Sequence, residues 1–138
     1  MEPVLHLSVP VADLAEARAF YVDTLGCPLG RVRADWCDVW FHGLQLTLQE
    51  RPDEVLPVDG QGVRHFGVTL DAGDLRGVLE QLRASPVRWL APVTTDALLD
   101  GKTSAKIQDP SGNVIEFKAY ADPARLRGRE PERPAGQE

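Results

Sequence analysis

The chain repeats itself. The segment from Val4, VLHLSVPVADLAEARAFYVDTLG, and the segment from Val63, VRHFGVTLDAGDLRGVLEQLRAS, share one pattern: valine, one residue, histidine, apolar, small, valine, then an amphipathic stretch. From His6 to His65 the offset is 59 residues, and from Asp13-Leu14 to Asp74-Leu75 it has grown to 61, a two-residue loop difference. A unit longer than one solenoid repeat, present twice, predicts two pseudo-equivalent half-modules.

At 138 residues the two halves make one domain, long enough to bury roughly two-thirds of its unfolded surface without disulfides. The net charge of −6 is spread over mixed signs with no basic block, which excludes the electrostatic footprint of a nucleic-acid binder. There is no apolar run near 18 residues and no basic leader with an apolar core. A membrane span and a secretory signal are therefore not expected, and a cytoplasmic location is. Cys27 and Cys37 are too few for a disulfide framework or a thiolate zinc site and read as core or strand residues.

Leu14, Ala17, Tyr21 and Leu25 follow the helical period, as do Leu75, Val78, Leu79 and Leu82. Asp13 and Asp74 are placed as N-caps, and Gly26 and Pro86 mark the ends. Strand patterns follow each helix: 29–34, 36–41 and 44–49 in the first half, then 87–95, 103–108 and 113–118 in the second. Each half reads βαβββ, with module 1 over about 4–50, a polar Pro/Gly connector over 51–62 and module 2 over about 63–120. The Pro-, Arg- and Glu-rich tail, 121–138, is expected to be disordered.

Strand alternation assigns faces. His6 shares a face with Val4 and Ser8, His65 with Gly67 and Thr69, and Glu116 with Val114 and Lys118, each opposite a bulky apolar face. A two-residue turn at His42-Gly43 pairs Trp40 with Gln45 and Asp38 with Thr47. That sorts Cys37, Val39, Phe41, Leu44, Leu46 and Leu48 to the helix side, and Trp36, Asp38, Trp40, Gln45, Thr47 and Gln49 to a cavity side. Two tryptophans among a few polar groups suit a small-molecule pocket, although a solvent-facing sheet alternates in the same way. Two histidines at equivalent repeat positions and a carboxylate in a third strand are laid out as a metal site.

Paired βαβββ modules with these histidines, the AFYVDTLG stretch from Ala19 and the closing DPSGNVIEFK from Asp109 resemble the vicinal oxygen chelate superfamily. That group includes glyoxalase I, extradiol dioxygenases, fosfomycin resistance enzymes and bleomycin-binding proteins. The resemblance covers Val4 to about Tyr120. It implies an α+β fold in which two modules curl into a half-open barrel-like sheet around a divalent metal, with His6, His65 and Glu116 as metal ligands and Asp109 and Gly112 as turn residues. Such a 2-His-1-carboxylate set leaves coordination positions open, and it suits Fe(II), Mn(II), Zn(II), Ni(II) or Co(II). Glyoxalase I enzymes take a fourth ligand near the end of module 1. Here that strand is LQLTLQE, where Gln45 offers an amide oxygen as an additional metal or substrate contact.

The expected function is that of a metal-dependent enzyme acting on a small oxygenated molecule, with a lean to dioxygenase chemistry from the ligand count. Asp38 is the candidate general base, and Trp36, Trp40, Thr47 and Gln49 shape the pocket. The alternatives are a glyoxalase-like lyase or isomerase, a fosfomycin-type thiol transferase drawing on Lys102, Lys106 and Lys118, and a metal-free binder that sequesters a planar ligand. By the same resemblance a homodimer is expected. His42 is expected in a surface turn.

Overall fold

The computed structural model describes residues 1–96 and 101–128. The first module runs β1 (His6–Val11), α1 (Leu14–Ala19), β2 (Leu29–Val32), β3 (Trp36–Phe41) and β4 (Leu44–Glu50). The second runs β5 (Phe66–Thr69), α2 (Ala72–Arg83), β6 (Arg88–Asp96), β7 (Lys102–Gln108) and β8 (Val114–Ala119). Each builds a four-stranded mixed sheet, ordered β1-β4-β3-β2 and β5-β8-β7-β6. In both, the first and last strands of the module pair in parallel and the other pairs are antiparallel. A parallel pair needs a long crossover, and the helix with its two following strands supplies it.

Asp13 caps α1 as the sequence indicates, its carboxylate accepting from the Glu16 N–H at 2.9 Å. Past Ala19 the helix widens into a π-turn over Phe20–Thr24 that closes through Leu25 N–H to the Phe20 carbonyl at 3.0 Å. Phe20 and Tyr21 are both buried there, and Gly26 ends the segment with φ 74°. The second helix corrects the sequence reading. Its N-cap is Asp71, and Asp74 lies in the first turn, where a carboxylate faces the positive end of the helix dipole. The earlier start leaves Leu75, Leu79 and Leu82 on the buried stripe.

Leu7, Leu46, Leu48, Val39 and Phe41 from the first sheet, with Phe66, Ile107, Ile115 and Phe117 from the second, belong to one common core that also takes Tyr21, Leu79 and Leu82. Phe41 packs across the modules, 5.4 Å from Phe66 and 5.9 Å from Phe117 between ring centroids. Both helix-side faces therefore feed one core, and the opposite faces of both sheets point away from it. Cys27 and Cys37 are buried free thiols, as expected, and burial pushes Cys27 up to about 11. Within the tail, Pro123–Arg127 form a 3₁₀ turn, where Asp122 accepts from the Ala124 N–H at 3.0 Å. Residues 129–138 of that tail lie outside the described residues. No helix among the described residues is long and apolar enough to cross a membrane.

Candidate functional site

On the second sheet, His65 stands one residue before β5 and Glu116 lies within β8. His65 Nδ1 is 2.8 Å from the Val63 carbonyl. A carbonyl only accepts, so Nδ1 carries the proton and, in the neutral ring, Nε2 carries the free lone pair. That nitrogen lies 3.9 Å from Glu116 Oε1, too far for a hydrogen bond, so a lone pair and a carboxylate oxygen share one gap. Backbone support of the outer ring nitrogen is the arrangement that orients an imidazole for a metal. Gly67, paired with Glu116 across β5 and β8, makes this approach possible: a Cβ there would lie 1.8 Å from the Glu116 carbonyl oxygen. Glu116 is only 8% exposed. Lys118 Nζ lies 3.9 Å from Glu116 Oε1, and Lys106 is the cross-strand partner of Glu116 on β7. Both lysines are half-buried.

The first sheet holds His6 at the start of β1, in register with Gln45 and through it with Trp40. The hairpin is as the sequence predicts, with Trp36 opposite Gln49, Asp38 opposite Thr47 and Trp40 opposite Gln45. Its turn needs positive φ at both central residues, 47° at His42 and 86° at Gly43. The His42 ring leans edge-on against Phe41 at 4.9 Å, and partial desolvation lowers its pKa.

Asp38 is 1% exposed and saturated with donors. Thr47 donates to Oδ1 at 2.6 Å, while Arg31 Nε at 2.6 Å and Gln45 Nε2 at 3.3 Å donate to Oδ2. Burial raises the Asp38 pKa, but the Thr47 bond, the bond and charge of Arg31, and the Gln45 bond together hold it below its ordinary value. Such a carboxylate is a weak base. Because Gln45 points its amide nitrogen at Asp38, its oxygen is the free acceptor of the row that contains His6.

Arg31 was missed by sequence reasoning, which read 29–34 as one regular strand. The pairs Leu29–Val39 and Val32–Cys37 leave Gly30 and Arg31 facing Asp38 alone, a β-bulge. A Gly-Arg pair inside a strand pattern is the one local signal that could have exposed it.

The closing turn ties the modules together. Asp109 accepts from the Ser111 and Asn113 N–H groups, from the Asn113 amide and from Tyr21 Oη at 2.7 Å, 88 residues away in sequence. Asn113 also donates to the Pro10 carbonyl, and Ser111 Oγ accepts from the Ala12 N–H. Gly112 sits at φ 91° against Val58 and Gln61. The turn residues are thus structural.

A cleft of about 430 Å³ opens between β1 and β5, with Ser8, Leu56, Arg64, His65 and Val114 in its wall, a size that suits a small molecule. A larger one of about 650 Å³ beside α1 contains none of the candidate ligands. Among the described residues no three His, Cys, Asp or Glu side chains gather to hold a metal. One chain brings His65 and Glu116 together and leaves His6 on the other sheet.

Two βαβββ modules sharing a core, each presenting an open sheet face lined by polar groups, define a class of small paired-module proteins. Residues 4–117 match the model of the Glyoxalase/Bleomycin resistance protein/Dioxygenase superfamily, and the chain belongs to that family. Among solved structures it is similar to a glyoxalase/bleomycin resistance protein/dioxygenase from Alicyclobacillus acidocaldarius, with 29% identity and a TM-score of 0.83 over 91% of this chain and 96% of that one. A genomically encoded fosfomycin resistance protein from Listeria monocytogenes shares the fold at 16% identity and a TM-score of 0.71, over 86% and 93% of the two chains. So does a lactoylglutathione lyase from Agrobacterium tumefaciens, at 16% and 0.65 over 86% and 94%. The sequence matches no curated protein.

Proposed function

We propose that the protein is a divalent-metal-dependent enzyme acting on a small molecule with neighbouring oxygens, and that two copies complete each site. His65 and Glu116 of one copy would hold the metal with His6 of the other. The observation that carries this reading is the His65–Glu116 pair, whose Nε2 and carboxylate oxygen face each other across 3.9 Å with Nδ1 anchored to backbone. Self-complementary pairing of the two outer faces is an isologous contact, in which each copy gives what it receives. Apolar residues flank both histidines in the open: Leu5 is 77% exposed and Val63 90%. A face that buries them on association would explain their exposure.

When bound, such a metal supplies Lewis acidity and open coordination positions for two substrate oxygens or for dioxygen. The chain's own residues do the rest. The Val63 carbonyl fixes the His65 tautomer, Gly67 lets β5 close on the Glu116 backbone, and the Gln45 oxygen is available beside His6 as a further ligand or substrate contact. Trp36, Trp40, Thr47 and Gln49 line the outer face of the first sheet. Asp38, with both oxygens engaged, serves as an anchor rather than as the general base.

Dioxygenase chemistry is the first to assay, since three protein ligands leave room for substrate and oxygen. A Lewis-acid lyase or thiol transferase on an anionic substrate is the second reading, favoured by half-buried Lys106 and Lys118 beside Glu116.

The test is metal content by elemental mass spectrometry of wild type, His6→Ala, Glu116→Ala and the last two mixed after reversible dissociation. Wild type should carry near one equivalent and each variant little. The mixture should recover about a quarter of the sites, because half the dimers are mixed and each rebuilds one site of two. Full metal retention in Glu116→Ala would sink the ligand set; no recovery on mixing would sink the shared site.

A further inference from the structure

The outer face of the first sheet holds a guanidinium fixed from two sides, by a carboxylate and by an indole ring. Arg31 donates through Nε alone to Asp38, at 2.6 Å, and its side chain remains 61% exposed while the aspartate is almost fully buried. Its carbon Cζ lies over the Trp36 ring, 4.9 Å from the centroid. Arg33 reaches the same ring at 5.6 Å, so two positive charges converge on one indole. The bulge that turns Arg31 onto this face depends on Gly30, where a Cβ would come within 3.0 Å of the Asp38 Cβ and 3.2 Å of Trp40 Nε1. Trp40 thus reaches over Gly30, and Trp36 carries Arg31 on the other side of Asp38.

Neutralising Asp38 would be served best by the two-pronged fork of a guanidinium. Thr47 and Gln45 take that capacity instead. The terminal Nη groups of Arg31 have no hydrogen-bond or ion-pair partner among the described residues. Their donors are held in place and left open, the preorganised state in which an anion is bound at least cost in side-chain ordering.

We propose that Arg31 is an anion-recognition residue, taking the carboxylate, phosphonate or phosphate group of a small ligand seated between Trp36 and Trp40 on the outer face of the first sheet. Three strand spacings of about 4.8 Å separate Arg31 on β2 from β1, where His6 lies. The anion therefore sits at the far side of the face from His6. The inference uses the first sheet alone and stands whether or not the metal reading does.

The experiment is a titration of metal-stripped, desalted protein with benzoate, phenylphosphonate and inorganic phosphate, with benzyl alcohol as the uncharged control, followed by NMR at the Arg Nε–H and Trp indole N–H resonances. At least one anion should shift the Arg31 and Trp36 signals saturably, and benzyl alcohol should not. Arg31→Lys keeps the charge beside Asp38 and should bind at least tenfold more weakly. Arg31→Met combined with Asp38→Asn removes the buried charge together with its partner, so that a folded variant can be compared, and it should not bind. Saturable binding by that folded double variant at wild-type strength would overturn the proposal, as would wild-type shifts that are absent or scattered over many arginines without saturation. The ranking of benzoate against phenylphosphonate and phosphate separates carboxylate from phosphorus oxyanion ligands.

Discussion

The outer faces of the two sheets have the same topology and the same strand parity, yet they treat a buried carboxylate in opposite ways. On the first, Asp38 is closed by three side-chain donors, and what it leaves open is N–H groups on Arg31. On the second, Glu116 Oε1 faces His65 Nε2 across 3.9 Å, with Lys118 Nζ at the same distance. One face has spent its acid on orienting a guanidinium whose Nη donors stay open; the other leaves acid and imidazole facing each other across a gap. Opposed across two copies, the faces would grip an oxygenated anion at both ends. The two modules thus differ in what their faces present, with the strand order unchanged and the ladder altered at the β2–β3 bulge that brings Arg31 to Asp38.

The largest effect should come from Gly67→Ala, because the new methyl meets backbone that β5 and β8 share. We expect a loss of about 3 kcal/mol or more in urea unfolding, and with it any bound metal. Next, Asp38→Ala strands the donors of Thr47 and Arg31 and should cost about 2 kcal/mol, whereas Glu116→Ala in metal-free protein removes a buried carboxylate that accepts no side-chain hydrogen bond among the described residues and should cost about 1 kcal/mol or less. Equal costs for the two would erase the contrast between an acid closed by donors and one left open. Tyr21→Phe removes one donor from Asp109 and should cost about 1 kcal/mol by the same measurement.

The smallest effect, and the most diagnostic, is in pH dependence. Asp38 and Asp109 are each 1% exposed, but their pKa values move in opposite directions from 3.8. For Asp109 burial wins over its bonds from Asn113, Tyr21 and Ser111 and raises the value. Its contribution is fully present below 3.8 and is lost as pH rises through the raised value. For Asp38 the value is depressed, so its contribution is present above 3.8 and is lost as pH falls through the lower one. Asp38→Asn should flatten the acid limb of a stability profile taken over about pH 2 to 6. An unchanged acid limb would show that Thr47, Arg31 and Gln45 together do not outweigh burial in stabilising the charged form.

The repeat, the module order and the hairpin register were legible because each rests on local periodicity: apolar alternation fixes faces, and a two-residue turn fixes pairing from Trp36–Gln49 to Phe41–Leu44. The start of α2 was misplaced because aspartates at 71 and 74 both satisfy a capping pattern, and only the burial of Leu75, Leu79 and Leu82 on one core chooses between them. Arg31 was invisible because a bulge is one extra residue that alternation silently absorbs.

By itself the sequence determined which residues share a face: His6 with Ser8, His65 with Gly67, Glu116 with Lys118, since side-chain direction along a strand follows from chain chemistry alone. Only the tertiary structure decided that both helix-side faces pack into one core around Phe41, that His65 meets Glu116 while His6 stands apart, and that Asp38 belongs to Arg31. Those outcomes depend on how two surfaces distant in sequence fit together, which no local period encodes.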